Sequence, residues 1–193
     1  MRQLKQAFLI FIVFSFLCGF IYPLFITAVS QFLFPKRSNG SIISSDNKIV
    51  GSELIGQQFN SPKYFHGRPS ATDPAYNASG SMGSNFGPSH AKFIEVVKKR
   101  IEEVRHENGL PSNTTIPADL VLASASGLDP HISVESVMLQ VNRIAKERRL
   151  PESELEGLVR QQIEHPLWGI WGQPRVNVLK LNLKLDEASG KSK

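Results

Sequence analysis

The sequence predicts an α+β protein in which one N-terminal transmembrane helix leads into a single small mixed α/β domain. Three observations carry this. Residues 7–34 form an apolar run with no charged side chain between Lys5 and Lys36. An α-helix crosses a bilayer core of about 30 Å with roughly 20 apolar residues, so the run suffices for one span. The rest of the 193-residue chain has the usual size of one domain. Its apolar residues recur at helical spacing in three segments and at other spacings between them.

The expected organisation is a short N-terminus over 1–6, the span over 7–34, a polar tether over 35–48, the domain over 49–186 and a polar tail over 187–193. The net charge of +5 is spread along the chain and not gathered into runs, which argues for a solvated surface and against nucleic-acid binding. The one cysteine, Cys18, lies inside the apolar run, so the domain has no disulfide to form. Leu17 before it is too bulky for lipoprotein processing.

Within the span, Ser15 and Gly19 are four residues apart and share a face on which another helix can approach closely. Pro23 extends that face. Its ring removes a backbone donor and crowds the Gly19 carbonyl, which predicts a kink unless a neighbour re-satisfies the backbone. A chance pairing of one Ser with one Gly stands beside this packing role. A cleaved signal is the rival to a retained anchor, with Ala28 and Ser30 as a weak processing site, but the run exceeds the usual length of a signal core. The flanking charges, Arg2 and Lys5 against Lys36 and Arg37, nearly cancel as an orientation signal.

Asn39-Gly40 marks a turn in the tether. Ser45-Asp46-Asn47-Lys48 matches S-x-x-K without the buried helix that this motif requires. Residues 49–55 are β-tolerant. Residues 72–89 form a long loop rich in Gly, Ser and Asn, expected to be pinned by Tyr76 and Phe86.

Ser89 is positioned to cap a helix whose Phe93, Ile94, Val97, Ile101 and Val104 recur at helical spacing, and Gly109 ends it. Residues 120–123 read as a short buried strand. Ser133 caps a second helix with Val134, Val137, Met138, Val141, Ile144 and Ala145 on one stripe, and Arg143, Lys146, Arg148 and Arg149 stand near its C-terminal end, where cations suit the dipole. Pro151 opens a third helix carrying Leu155, Leu158, Val159 and Ile163 inward, closed by Pro166. Trp168, Ile170 and Trp171 among glycines form an apolar knuckle, readable as a docking surface or as satellite core packing. Over 176–185 the alternation slips phase between Val178 and Leu179, which weakens a strand and favours a helix capped by Asn177.

For chemistry, the best local group is Ser124, Ser126, Asp129 and His131, but the nucleophile elbow is absent and Pro130 beside His131 reads as turn chemistry. A membrane-tethered serine hydrolase on Ser126, Asp129 and His131 is one alternative function, and a secreted binding domain is another. The five histidines are scattered with no metal-ligand spacing, and no phosphate cradle is present.

Ordered blocks along the chain nevertheless form a pattern. They are Gly51-Ser52 with Ile55-Gly56-Gln57, Tyr64-Phe65, Arg68-Pro69-Ser70-Ala71, Tyr76-Asn77, Gly83-Ser84-Asn85 and Gly87-Pro88-Ser89. Ser126-Gly127-Leu128-Asp129-Pro130-His131-Ile132-Ser133 follows, then Gln140, Arg143-Ile144-Ala145, Arg148, Gly172, Pro174, Val176-Asn177-Val178-Leu179 and Leu181-Asn182. Together with the single N-terminal span, they resemble the family of C subunits of the bacterial potassium-transporting P-type ATPase, the Kdp complex. Ser81-Met82, Leu122 and Ala125 depart from the family pattern and bear only on local loop geometry.

The resemblance implies an accessory, non-catalytic subunit of an ATP-driven potassium uptake pump in the bacterial cell membrane, with the N-terminus cytoplasmic and the domain extracytoplasmic. Its implied partners are a potassium-binding, channel-like subunit and an ATP-hydrolysing P-type subunit. It also implies a catalytic-chaperone role that raises the ATP affinity of the hydrolysing subunit. This chain is assigned no cofactor of its own, because ATP and potassium are handled by the complex; with no phosphate motif here and ATP on the cytoplasmic side, any effect on ATP is indirect coupling. The expected partner contacts are Ser15, Gly19 and Pro23 in the membrane, and Asn85, Gly87, Gly127, Asp129, Pro130, His131, Trp168 and Trp171 in the domain.

Overall fold

The computed structural model describes residues 1–45 and 48–190. The chain divides into two compact units, Met1–Val50 and the remainder from Gly51.

In the first unit, α1 (Arg2–Phe16) runs through a π-helical turn (Leu17–Ile21) into α2 (Tyr22–Leu33), giving one helical stretch of 32 residues that is long and apolar enough to cross a membrane. The wide turn answers the expectation of a kink at Pro23. Tyr22 N–H donates five residues back to Leu17 O, which takes up the backbone that the proline ring would otherwise disrupt. A short α3 (Pro35–Ser38) and β1 (Ile42–Ser45) follow in the stretch that reads as a polar tether, with the predicted turn at Asn39-Gly40. β1 forms a two-stranded sheet with β2 (Lys48–Ser52), and the S-x-x-K match between them includes Asp46 and Asn47, outside the described residues.

The second unit holds α4 (Ala91–Asn108), β3 (His131–Ser133), α5 (Val134–Arg148), α6 (Glu152–Gln161), β4 (Ile163–Glu164), β5 (Arg175–Asn177) and α7 (Val178–Gly190). The strands form an antiparallel sheet in the order β3-β5-β4, with Ile132 opposite Val176 and Val176 opposite Ile163. Because side chains alternate along a strand, this register sends Ile132, Val176 and Ile163 to the face covered by helices and His131, Ser133, Arg175 and Glu164 to the other. The core is closed by Val137, Val141 and Ile144 of α5, Leu155 and Val159 of α6, and Leu181 and Leu185 of α7. The α5 stripe is as the spacing predicts; of the α6 stripe, Leu155, Leu158 and Val159 lie on the helix, whereas Ile163, expected there too, belongs to β4.

The phase slip at 176–185 has a simple origin. Val176 belongs to β5, and the chain turns from strand into helix at Asn177, whose Oδ1 accepts from Lys180 N–H at 3.1 Å as a cap. Ser133 caps α5 as expected, accepting from Ser136 N–H at 3.2 Å. Gly109 ends α4 in the left-handed region at φ +62°, with Leu110 N–H reaching back to Arg105 O.

Five expectations are corrected. Ser89 does not cap α4; His90 occupies that position without a side-chain cap, its ring packed at a tilt against Phe86. Phe86 thus pins the long loop to α4, where it also meets Phe93, and not to the core. Residues 120–123 are not a strand: a 3₁₀ turn at Ala118–Leu120 buries Leu120 and Val121, a choice that four apolar residues cannot signal by periodicity. Pro166 does not close α6, which stops at Gln161 because β4 intervenes. Arg143 does not solvate the α5 dipole; it is buried and donates to Asn108 Oδ1 and to Pro62 O, with Gln140 Oε1 at 2.9 Å.

The 60–69 segment enters the core as irregular backbone, and helix side chains satisfy it. Phe65 N–H donates to Asn182 Oδ1 and Asn182 Nδ2 donates to Phe65 O, both at 2.9 Å. One residue on, His66 N–H donates to Gln140 Oε1 at 2.8 Å and Gln140 Nε2 returns to His66 O at 3.1 Å. Two buried carboxamides, from α7 and α5, do for this segment what a neighbouring strand does in a sheet.

Candidate functional site

The polar face of the three-stranded sheet borders an open cleft of about 580 Å³, lined among others by Arg68, Asp119, Asp129, His131, Glu135 and Arg175. The loop that presents Asp129 and His131 is held by close backbone approaches. Ser70 Oγ donates to Gly127 O at 2.7 Å, Met82 N–H donates to Ser126 O at 3.0 Å, and Gly56 N–H donates to Leu128 O at 2.8 Å. Gly127 adopts φ +67°, and a side chain there would stand 2.7 Å from Met82 O. At Gly56 an added Cβ would lie 2.7 Å from Asp129 O. Tyr76 completes the junction by donating its hydroxyl to Arg68 O, and its burial pushes the phenol up to about 12. Sequence blocks far apart in the chain, at Gly56, Arg68 to Ala71, Tyr76, Gly83 and Ser126 to His131, therefore meet at one place.

On this scaffold sits a chain of alternating charges. Asp129 accepts from His131 N–H at 3.0 Å through Oδ1 and from Arg68 Nη1 at 3.1 Å through Oδ2. His131 places Nδ1 3.6 Å from Asp129 Oδ1 and Nε2 3.2 Å from Glu164 Oε2. Glu164 also meets Arg175 Nε at 3.3 Å and Lys180 Nζ at 3.4 Å, and Lys180 reaches Glu53 Oε2 at 3.2 Å. Burial raises the Asp129 carboxyl, but the hydrogen bonds from His131 and the Arg68 guanidinium outweigh it and hold the group below its ordinary value. Glu164 is likewise held low, with burial opposed by His131, Arg175 and Lys180.

Ser126 and His131 are engaged separately in this arrangement. Both nitrogens of His131 face carboxylates, while Ser126 Oγ accepts from Leu128 N–H at 3.1 Å and lies 3.5 Å from Ser124 Oγ. The serine is spent on its own turn, and no lone pair of the imidazole is directed at it. The cleft presents side chains of both signs beside the loop junction.

Of the residues singled out from sequence, Gly127, Asp129, Pro130 and His131 come together here. Pro130 contributes through its carbonyl, which accepts from Val178 N–H at 2.9 Å and joins the loop to α7. Asn85 and Gly87 lie on the exposed outer part of the long loop, and an added Cβ at Gly87 would meet nothing within 4 Å. Trp168 and Trp171 are exposed on a separate tip between β4 and β5. Glu164, Arg175, Lys180 and Glu53 were not singled out: each is an ordinary surface-type residue in sequence; strand register brings Glu164 to His131, Arg175 and Lys180 join at Glu164, and Glu53 joins through Lys180. Asp119 was missed for the same reason; its carboxylate accepts from Ser133 N–H at 2.6 Å and from Ser136 Oγ, tying the 3₁₀ turn to the start of α5.

The family model described as "K+-transporting ATPase, c chain" (KdpC) matches residues 4–187. The chain is 50% identical over 190 residues to the potassium-transporting ATPase KdpC subunit of Dechloromonas aromatica, covering 96% of this chain and 97% of that one. It is 48% identical to the protein of the same name from Methylococcus capsulatus, with 96% and 97% covered, and 48% identical to that of Caldanaerobacter subterraneus, with 100% and 98% covered. With the match running through both the apolar helix and the folded unit, the chain belongs to the KdpC family, the c chain of the K+-transporting ATPase.

Proposed function

We propose that this chain is an accessory, non-hydrolysing subunit of a high-affinity, ATP-driven potassium uptake pump. The observation that carries the proposal is the family match over residues 4–187, which takes in the membrane-length helix as well as the domain. That match also favours a retained anchor over a cleaved signal. The chain sits in the bacterial cell membrane as a single-pass protein, N-terminus cytoplasmic and domain extracytoplasmic, beside a potassium-binding, channel-like subunit and an ATP-hydrolysing P-type subunit. Ser15, Gly19 and Pro23 offer the helix face for those partners. The cleft formed around Asp129, Pro130 and His131, with Gly127 holding its loop, offers a polar docking surface on the outer side, and Asn85 and Gly87 extend it along the exposed loop. The chain assists assembly and ATP-coupled transport, and raises the ATP affinity of the hydrolysing subunit through the complex.

Co-purification from detergent-solubilised membranes tests this. The chain should be recovered with both large pump subunits, and recovery without either of them would overturn the reading. A cysteine placed in the tether should react with an impermeant maleimide in intact cells; protection there would reverse the topology.

A further inference from the structure

The tip joining β4 to β5 is the most exposed apolar feature of the second unit. Leu167, Trp168, Ile170 and Trp171 are 62%, 82%, 78% and 68% exposed, and no charged side chain occurs between His165 and Arg175. We propose that this tip inserts into the headgroup–acyl boundary of the bilayer that the chain's own N-terminal helix is built to cross.

Four observations favour lipid as the occupant. The tip satisfies its own backbone: Leu167 and Trp171 exchange N–H···O bonds at 3.0 Å, Gly169 N–H donates to Pro166 O at 3.0 Å, and Ile170 N–H donates to Leu167 O at 3.2 Å. Few amides are then left to be stranded when water is withdrawn. Trp168 holds φ +54° and Gly169 φ +75°, so the chain keeps an indole, in a conformation that bulky residues avoid, at the outermost turn. Tryptophan flanked by aliphatic side chains is the composition favoured at a membrane–water interface, where an apolar ring body and a polar N–H are both accommodated. Finally, no charged side chain stands between His165 and Arg175, so insertion strips no ion of its water.

Trp168 and Trp171 are the only tryptophans in the chain, so its indole fluorescence reports this tip alone. The full chain is reconstituted by itself in phosphatidylcholine vesicles, either ordinary or brominated at shallow or deep acyl positions. Shallow bromines should quench the emission at least about two-fold, and deep bromines less, as expected for interfacial indoles. Ile170→Asp should abolish most of that quenching while far-UV circular dichroism keeps the wild-type helical content. Equal emission in ordinary and brominated vesicles overturns the proposal, as does unchanged quenching in the Asp variant. A blue shift that appears only with the other pump subunits would assign the tip to a protein partner. One that rises with chain concentration without quenching would assign it to a second copy. Both outcomes refute lipid insertion. The proposal rests on membrane anchoring alone, so its failure leaves the pump reading intact.

Discussion

Replacing Asn182 with leucine should cost this fold about 3 kcal/mol, chiefly through lost hydrogen bonds, because the two side chains share the same heavy-atom branching. Asn182 is fully buried and its carboxamide is the partner of both backbone groups of Phe65, at 2.9 Å each. Leucine offers neither donor nor acceptor, so a buried N–H and a buried C=O each lose their partner at about 1–3 kcal/mol apiece. Added apolar burial returns about 1–2 kcal/mol of that sum. The assay is equilibrium urea unfolding of the full chain in detergent micelles, followed by far-UV circular dichroism, with the membrane helix as a constant background. The midpoint should fall at unchanged slope, while leucine at the exposed Asn113 should shift stability by less than about 0.5 kcal/mol. A loss below about 1 kcal/mol at Asn182 would show that the 65–66 backbone finds other partners, and would refute the role given to the carboxamide.

Further outcomes follow from the cleft and the span. Gly127→Ala forces a Cβ into the left-handed region 2.7 Å from Met82 O and should destabilise the domain by about 2 kcal/mol in the same urea assay. Asp129→Asn should cost about 1–2 kcal/mol at neutral pH. Because the folded carboxyl lies below its ordinary 3.8, its contribution is present above that value and lost as pH falls through the lowered one, so wild type and variant should converge in acid titrations. Ser133→Ala removes the α5 cap and should lower stability by about 1 kcal/mol in urea melts. Gly19→Leu meets nothing within 4 Å in the chain by itself, so it should leave isolated stability unchanged while reducing co-purification with the pump subunits; equal recovery would remove Gly19 from the contact face.

The sequence by itself determined the elements whose evidence is local. The membrane-length helix follows from uninterrupted apolar composition, the long helices from their 3.6-residue stripes, and the caps at Ser133 and Asn177 from side chains that reach amides three residues ahead. Asp129 and His131 were legible because they stand two residues apart in one turn. Tertiary structure alone decided what surrounds them. Glu164 reaches His131 because β4 and β3 both pair with β5, a register of strands two or three residues long, too short to leave a periodic signature. Arg143 read as a solvated helix-end cation and is instead a buried hub, because helix phase puts it on the side where Asn108 and the 60–69 segment arrive. Whether Trp168 and Trp171 pack into the core or face outward was likewise open in the sequence, since apolar composition does not state which surface receives it. The positive φ of Trp168 and the self-bonded turn around it settle that they face outward. Contacts between residues near in sequence can be read from spacing; contacts made by loop closure and short-strand register depend on the whole chain having folded.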